Sequence, residues 1–234
     1  MQHSAELADF VADANAQGGT YHRIDFGGGL VLDGEYDMQP YWPHYGFPDD
    51  LRGLSVLDVG TSSGHFAIEF ARRGADVTAI DISDGGFQRT VFAGAGANIR
   101  YLQKDLLALD ERFGQFDMVF CGSVLLHIWD QVGALRKLRS VCRDLAIVST
   151  GVIGAERGCD HFPAAELVGM SAMGGHGEYW TTWMPNGLAL ERMMRAAGFP
   201  VVEYKGTYRL KSAPGKHGFD TPHGVVHGRV STSA

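Results

Sequence analysis

Residues 55–66 read Ser-Val-Leu-Asp-Val-Gly-Thr-Ser-Ser-Gly-His-Phe, and residues 77–81 read Val-Thr-Ala-Ile-Asp. The first apolar run predicts a central strand that is buried on both faces of a parallel sheet. Gly60 and Gly64 bracket a turn in which missing side chains let the backbone approach a ligand closely. A helix is expected to begin near Gly64, and Asp81 to end the second strand. Together these elements predict a crevice for a nucleoside, with Asp81 placed to bind ribose hydroxyls.

The spacing of the glycines separates two kinds of nucleotide crevice. A dinucleotide fingerprint has the pattern G-x-G-x-x-G, with a pyrophosphate at the helix N-terminus. In this chain the middle glycine is replaced by Ser62, and the acid Asp58 precedes the turn. A carboxylate at that position suits the cationic end of a ligand better than a phosphate. This pattern disfavours a hydride-transferring dehydrogenase.

Alternating apolar and amphipathic segments begin at Leu51. The predicted strands are residues 55–59, 76–80, 99–103, 116–121, 145–149, 201–204 and 224–230. The predicted helices are residues 1–17, 64–73, 85–92, 130–142 and 186–197. The alternation predicts an α/β fold with a doubly wound, seven-stranded, mostly parallel sheet. Because no helix separates the last two strands, we expect them to form an antiparallel hairpin at one edge.

Length, charge and cysteine content limit the classes of partner and the compartment that the chain can be expected to have. The 234 residues suffice for one domain with appendages, and 20 basic against 27 acidic residues give a net charge of −7. Proteins that bind nucleic acid usually carry a basic face, so this balance argues against a nucleic-acid partner. No apolar stretch approaches the ~18 residues of a membrane span, and no secretory leader is apparent. Three cysteines without close-pair spacing indicate a reduced, cytoplasmic compartment.

The glycine turn, with an acid before it and acids after the next two strands, resembles motif I of the class I S-adenosylmethionine (SAM)-dependent methyltransferases, D/E-x-G-x-G-x-G. Ser62 departs from that motif at its second glycine. The resemblance implies a Rossmann-like methyltransferase fold, SAM as cofactor, and methyl transfer to an oxygen or nitrogen of a small molecule. It implies that Asp58 faces the methionine amino group, that Asp81 binds ribose and that Asp105 binds the adenine amine. The implied cofactor-binding residues are Asp58, Gly60, Thr61, Gly64, Asp81, Asp105, Leu106, Gly122 and Ser123.

His127 closes the segment Cys121-Gly-Ser-Val-Leu-Leu-His127, which follows the fourth strand of the core. An imidazole with an ordinary pKa near ~6.5 can remove a proton from an acceptor, so His127 is the candidate catalytic base. Its alternative role is to pack beside Trp129. The other histidines lack the spacing of metal ligands, and no metal is expected.

Two segments are expected to cover the substrate. Residues 1–50 form an N-terminal lid, and the core of residues 51–234 carries a second lid as an insertion at about 151–185. Closure over the site would exclude water from a charged electrophile. Aromatic side chains suit a planar or apolar acceptor. The candidate substrate-binding residues are Tyr21, His22, Trp42, Tyr45, His176, Tyr179 and Trp180.

Three further segments resemble one methyltransferase branch, which contains carboxy-SAM enzymes of tRNA wobble uridine and small-molecule relatives. They are Tyr21-His-Arg-Ile-Asp25, Gly122-Ser-Val-Leu-Leu-His127 and Glu178-Tyr-Trp-Thr-Thr-Trp-Met-Pro-Asn186. The branch leaves carboxy-SAM-dependent tRNA modification open as an alternative. A SAM-binding protein that catalyses a non-methylating reaction also stays open, as does a homo-oligomer.

Overall fold

The computed structural model describes residues 3–153, 162–167, 182–218 and 220–231. The helices are α1 (Ala5–Ala16), α2 (Trp42–Tyr45), α3 (His65–Arg72), α4 (Gly86–Gly94), α5 (Gln131–Val141) and α6 (Gly187–Ala196). The strands of the large sheet are β5 (Ser55–Val59), β6 (Asp76–Asp81), β7 (Ile99–Gln103), β8 (Phe116–Gly122), β9 (Cys142–Gly151), β12 (Val201–Leu210) and β13 (Thr221–Arg229). The short strands are β1 (Thr20–His22), β2 (Ile24–Gly27), β3 (Leu30–Leu32), β4 (Gly34–Tyr36), β10 (Ala165–Leu167) and β11 (Trp183–Pro185).

The large sheet confirms the predicted α/β fold. Its seven strands have the order β12-β13-β9-β8-β5-β6-β7. The strands from β9 to β7 pair in parallel, whereas β13 is antiparallel to both β9 and β12. The antiparallel edge hairpin is therefore β12–β13. The polypeptide order reverses on either side of β5, which creates the crevice in which such sheets bind ligands at the carboxyl ends of their strands.

Each face of the sheet is covered by its own apolar layer. On one face, Val56 of β5 belongs to a cluster with Phe66 and Phe70 of α3. On the other face, Leu57 of β5 belongs to a cluster with Leu135 of α5. Successive residues of a strand point to opposite faces. An apolar run without alternation is what burial on both faces requires.

The N-terminal segment is tied to the glycine turn of the core. The backbone N–H groups of Tyr21 and His22 both donate to Oγ of Ser63, each at 3.1 Å. Ser63 itself is buried. The tie brings β1 next to the carboxyl end of β5. Among the described residues, no helix combines the length and the apolar character that a membrane crossing requires.

Candidate functional site

The turn between β5 and α3 is packed against neighbouring protein. Gly60 has φ +71°, and its N–H donates to the carbonyl of Ile80 at 2.8 Å. A Cβ at Gly60 would overlap Cγ2 of Val124, and a Cβ at Gly64 would overlap Cε1 of Phe92. The missing side chains therefore let the loop after β8 and helix α4 approach the turn. The sequence predicted that these glycines let a ligand approach the backbone. The contacts with Val124 and Phe92 give a second reason for glycine at both positions, namely packing within the protein.

Asp58 is the penultimate residue of β5, close to the turn, and it is buried in the sheet. Its side chain is 2% exposed, and Oδ2 has no hydrogen-bond partner within the described ranges. Burial raises the pKa of Asp58 to about 7, with a further contribution from the charge of Asp81, although Thr61 and the N–H of Ala67 oppose the shift. The hydroxyl of Thr61 is likewise buried and lies near the Asp58 carboxyl, whose pKa it lowers, although the two groups lack the geometry of a full hydrogen bond. A buried acceptor without a donor is costly, and a cationic or donating ligand group would satisfy it.

Asp81 lies at the end of β6, as predicted, and its carboxylate binds the neighbouring backbone. Oδ2 accepts from the N–H of Ser62 at 2.9 Å, and Oδ1 accepts from the N–H of Ser83 at 3.1 Å. Ser62 has φ +50°, a conformation that favours glycine and that this bond stabilises. The next residue, Ile82, is 68% exposed. Sequence reasoning missed Ile82, although an apolar residue after the strand-end acid was visible.

The residues after β7 divide between surface and core. Asp105 is exposed, and its Oδ1 accepts from the N–H of Leu107 at 2.8 Å, which caps a short 3₁₀ helix. Leu106 is buried in the apolar layer shared with α5. These two neighbouring candidates for cofactor binding thus differ in exposure, and Asp105 has the more accessible side chain.

The loop after β8 reaches the same edge of the sheet. Gly122 is the last residue of β8. Ser123 follows with φ +56°, and its N–H donates to the carbonyl of Ser149 at 2.8 Å. His127 ends a 3₁₀ turn that begins at Leu125, and its N–H donates to the carbonyl of Val124 at 2.9 Å. The side chain of His127 is half-buried.

The candidate substrate residues lie in different environments. Tyr21 is 38% exposed, whereas His22 is buried against Phe66, with 5.8 Å between ring centroids. Tyr45 is 1% exposed in the aromatic core, and its hydroxyl is hydrogen-bonded to that of Tyr208 at 2.7 Å. His176, Tyr179 and Trp180 lie outside the described residues.

Trp42 packs along the length of α3. Its ring stacks on Phe66, in the first turn of the helix, with 6.2 Å between ring centroids. The guanidinium of Arg73, at the C-terminal end of α3, lies 3.9 Å from the centroid of the same ring. Trp42 is therefore part of the aromatic layer that covers this helix.

Two further polar residues at the carboxyl edge were missed by sequence reasoning. Tyr208 of β12 and His223 of β13 are cross-strand partners whose rings stack with 5.7 Å between centroids. The Tyr208 hydroxyl lies 3.3 Å from Oγ of Ser149. A single histidine in a strand forms no motif, and only the pairing of β13 with β9 brings it to this edge.

The known proteins that this chain resembles in sequence are methyltransferases. Residues 56–144 match a family model described as a methyltransferase domain. A ubiquinone biosynthesis O-methyltransferase of Sinorhizobium fredii is 28% identical over 175 residues, which cover 69% of this chain and 66% of that protein. A second enzyme of that name, from Erwinia tasmaniensis, is 39% identical over 83 residues, or 34% of each chain. The chain thus spans less than two thirds of these curated relatives.

Solved structures share the fold. The N-terminal domain of EvdMO1 with bound SAH superimposes with a TM-score of 0.69 and 17% identity, covering 95% of this chain and 96% of that one. The SAM-bound magnesium protoporphyrin IX methyltransferase of Synechocystis gives a TM-score of 0.54 with 16% identity, covering 97% and 78%. Residues 56–144 thus match a methyltransferase domain model, and the chain as a whole shares its fold with these SAM- and SAH-bound structures.

Proposed function

We propose that this protein transfers a methyl group from SAM to an oxygen or nitrogen of a small molecule. The observation that carries this proposal is the buried Asp58, whose Oδ2 has no partner among the described residues. The ammonium group of SAM would supply the donor that this oxygen lacks. When bound, SAM supplies the electrophilic methyl group on a cationic sulfur.

The residues around the crevice fit the remaining parts of SAM. Asp81 keeps lone pairs for ribose hydroxyls in addition to its two backbone bonds. The exposed Ile82 supplies an apolar surface for the adenine ring, and Asp105 an acceptor for its amine. Gly60, Gly64 and Thr61 shape the turn. Leu106 is expected to support this wall from the core.

Gly122 and Ser123, where β8 ends, are expected to flank the methionine part of SAM, and the acceptor is expected next to them near His127. His127 is the sequence-based candidate for the proton-accepting group. The substrate lid comprises residues 1–50 and the insertion at about 151–185, with Tyr21 and His22 nearest the turn through Ser63. Trp42 and Tyr45 would support the lid from the aromatic layer.

Two observations favour a small acceptor. The curated relatives are named for ubiquinone biosynthesis and O-methylation. The net charge of −7 is unfavourable for a polyanionic partner. The carboxy-SAM tRNA reaction remains the alternative, since it rests on the resemblance of residues 21–25, 122–127 and 178–186 to that branch. A homo-oligomer and a cytoplasmic location stay predictions.

Parallel calorimetric titration of the purified protein with SAM, carboxy-SAM and NAD tests this proposal. We expect SAM to bind, and S-adenosylhomocysteine to be released when small acceptors are then added. Preference for carboxy-SAM would favour the tRNA reaction. Binding of NAD alone would contradict the proposed role of the turn. SAM binding without S-adenosylhomocysteine release across acceptors would favour the non-methylating alternative.

A further inference from the structure

His223 occupies a position at the carboxyl edge of the large sheet. It pairs with Gly151 at the end of β9 and with Tyr208 of β12. Because β13 is antiparallel to β9, its first residues lie where β8 and β9 end. Ser123, the first residue after β8, is bonded to the same end of β9 through the carbonyl of Ser149. His223 therefore lies on the acceptor side of the proposed cofactor crevice.

The backbone fixes the tautomer of the His223 ring. Nδ1 lies 3.1 Å from the carbonyl oxygen of Thr221. A carbonyl can only accept, so Nδ1 carries the proton, and Nε2 of the neutral ring keeps its lone pair. Burial lowers the pKa of His223 to about 4, although the bond to Thr221 opposes this shift. The ring is therefore neutral at physiological pH.

Aromatic rings and hydroxyl groups surround this edge. The Tyr208 ring stacks on His223 with 29° between the planes, and its hydroxyl is bonded to that of Tyr45. The rings of Tyr21 and Tyr36 lie 4.9 Å apart. Flat rings with polar tips suit a planar, hydroxylated acceptor.

We propose, on the basis of the proposed function, that Nε2 of His223 accepts the proton of a phenolic hydroxyl on the acceptor. The O–H bond breaks and its proton goes to Nε2, which becomes an imidazolium. An electron pair of the phenol oxygen forms the bond to the methyl carbon. The carbon–sulfur bond breaks, and its pair stays on sulfur, which leaves neutral S-adenosylhomocysteine.

A weakly basic imidazole fits this step. The oxygen becomes far more acidic as it gains the methyl group, so a strong base is unnecessary. A neutral ring also avoids repulsion with the cationic sulfur before transfer. A phenol is more acidic than an alcohol, and it therefore matches this base better. His223 thus competes with His127 for the proton.

The test uses catechol as a phenolic probe, with SAM-loaded protein of residues 1–234. Turnover and SAM affinity are compared for wild type, His223→Gln, His223→Ala and His127→Gln. His44→Gln is the matched control, because His44 stacks on the same Tyr208 ring, at 5.1 Å, but is exposed. We expect both His223 variants to bind SAM as wild type does and to lose at least about 100-fold in kcat. Added imidazole should restore part of the turnover of His223→Ala, and the control should keep full turnover.

The alternative outcomes separate this proposal from the proposed function. Unchanged kcat in both His223 variants would overturn the role of His223, as would loss of turnover in His127→Gln alone. SAM binding without methylation of catechol by wild type would overturn the phenol class and leave the proposed function standing. Absence of SAM binding to wild type would contradict the proposed function itself.

Nuclear magnetic resonance of the wild-type protein provides a second test that survives misfolding of the variants. Long-range ¹H–¹⁵N correlation in the cofactor-free protein reports which ring nitrogen carries a proton. We expect His223 to be neutral at about pH 7, with Nδ1 protonated. A protonated Nε2 or a charged ring would overturn the proposal, because neither has a lone pair at Nε2.

Discussion

The backbone N–H of Ser62 donates a 2.9 Å hydrogen bond to Oδ2 of Asp81. The carboxylate that is expected to bind ribose thus also holds the turn that is expected to surround the cofactor. Ser62 replaces a glycine of the motif and has φ +50°. The bond gives a physical reason why serine is tolerated at that position.

Substitution of Asp81 should therefore affect two properties that can be separated. Asp81→Asn retains one acceptor oxygen, so we expect SAM affinity to fall about tenfold with little loss of stability. Asp81→Ala also leaves the N–H of Ser62 and Ser83 without this acceptor. We expect it to lower the free energy of unfolding by about 1–2 kcal/mol as well. Calorimetry and denaturant unfolding measure the two effects, and wild-type SAM affinity in both variants would exclude the ribose role.

Gly60→Ala tests the packing of the turn against Val124. The new Cβ would overlap Cγ2 of Val124 in a residue with φ +71°. Gly53→Ala is the matched control, because Gly53 has φ +77° and nothing within 4 Å of an added Cβ. We expect Gly60→Ala to cost about 1–3 kcal/mol more than Gly53→Ala in denaturant unfolding. Val124→Ala in the same chain should recover part of the difference, and equal costs for the two glycines would show that backbone strain alone acts.

Ser63→Ala tests whether the N-terminal segment is held by the turn. Oγ of Ser63 accepts from the N–H groups of both Tyr21 and His22. We expect amide hydrogen exchange of these two residues to accelerate about tenfold or more in the variant, since each loses its acceptor. Ser140→Ala, which removes only a bond to the carbonyl of Lys137, serves as the control. Unchanged exchange at Tyr21 would show that other contacts hold the segment.

The stability of the cofactor-free protein should depend on Asp58. Its pKa is about 7 in the folded state, above its ordinary value of 3.8, so the folded state holds this proton more tightly. The contribution of Asp58 to stability therefore falls as pH rises from about 4 to about 7. We expect Asp58→Asn to raise the melting temperature at about pH 8 and to change it less at about pH 4. A lower melting temperature at about pH 8 would contradict the cost assigned to the buried charge.

Much of the sheet follows from local patterns. The bounds of β5 and β7 agree with the predicted residues 55–59 and 99–103, because each is a short segment delimited by loops. Strand β12 was predicted to end at residue 204 and extends to Leu210. A register shift between Tyr204 and Gly206 interrupts the alternation that sequence reasoning depends on. The strands β1–β4 have only three or four residues each and give no periodic signal.

Some residues of the candidate site could be predicted from local sequence, and others could not. Asp58 and Asp81 could be predicted because an acid at the end of a parallel strand lies at the binding edge wherever the strands pair. His223 could not, because its position depends on the antiparallel pairing of β13 with β9. The burial of Tyr45 also depends on the distant Tyr208, to which its hydroxyl is bonded.

The most direct test is the dissociation constant of SAM as a function of pH for wild type and Asp58→Asn. If the ionised Asp58 binds the cationic cofactor, affinity should rise about tenfold between about pH 6 and about pH 8, because the free carboxyl has a pKa of about 7. Asp58→Asn should bind SAM more weakly at about pH 8 and lose the pH dependence. A variant that binds SAM as tightly as wild type, with the same pH profile, would contradict the assignment of this crevice to SAM through Asp58.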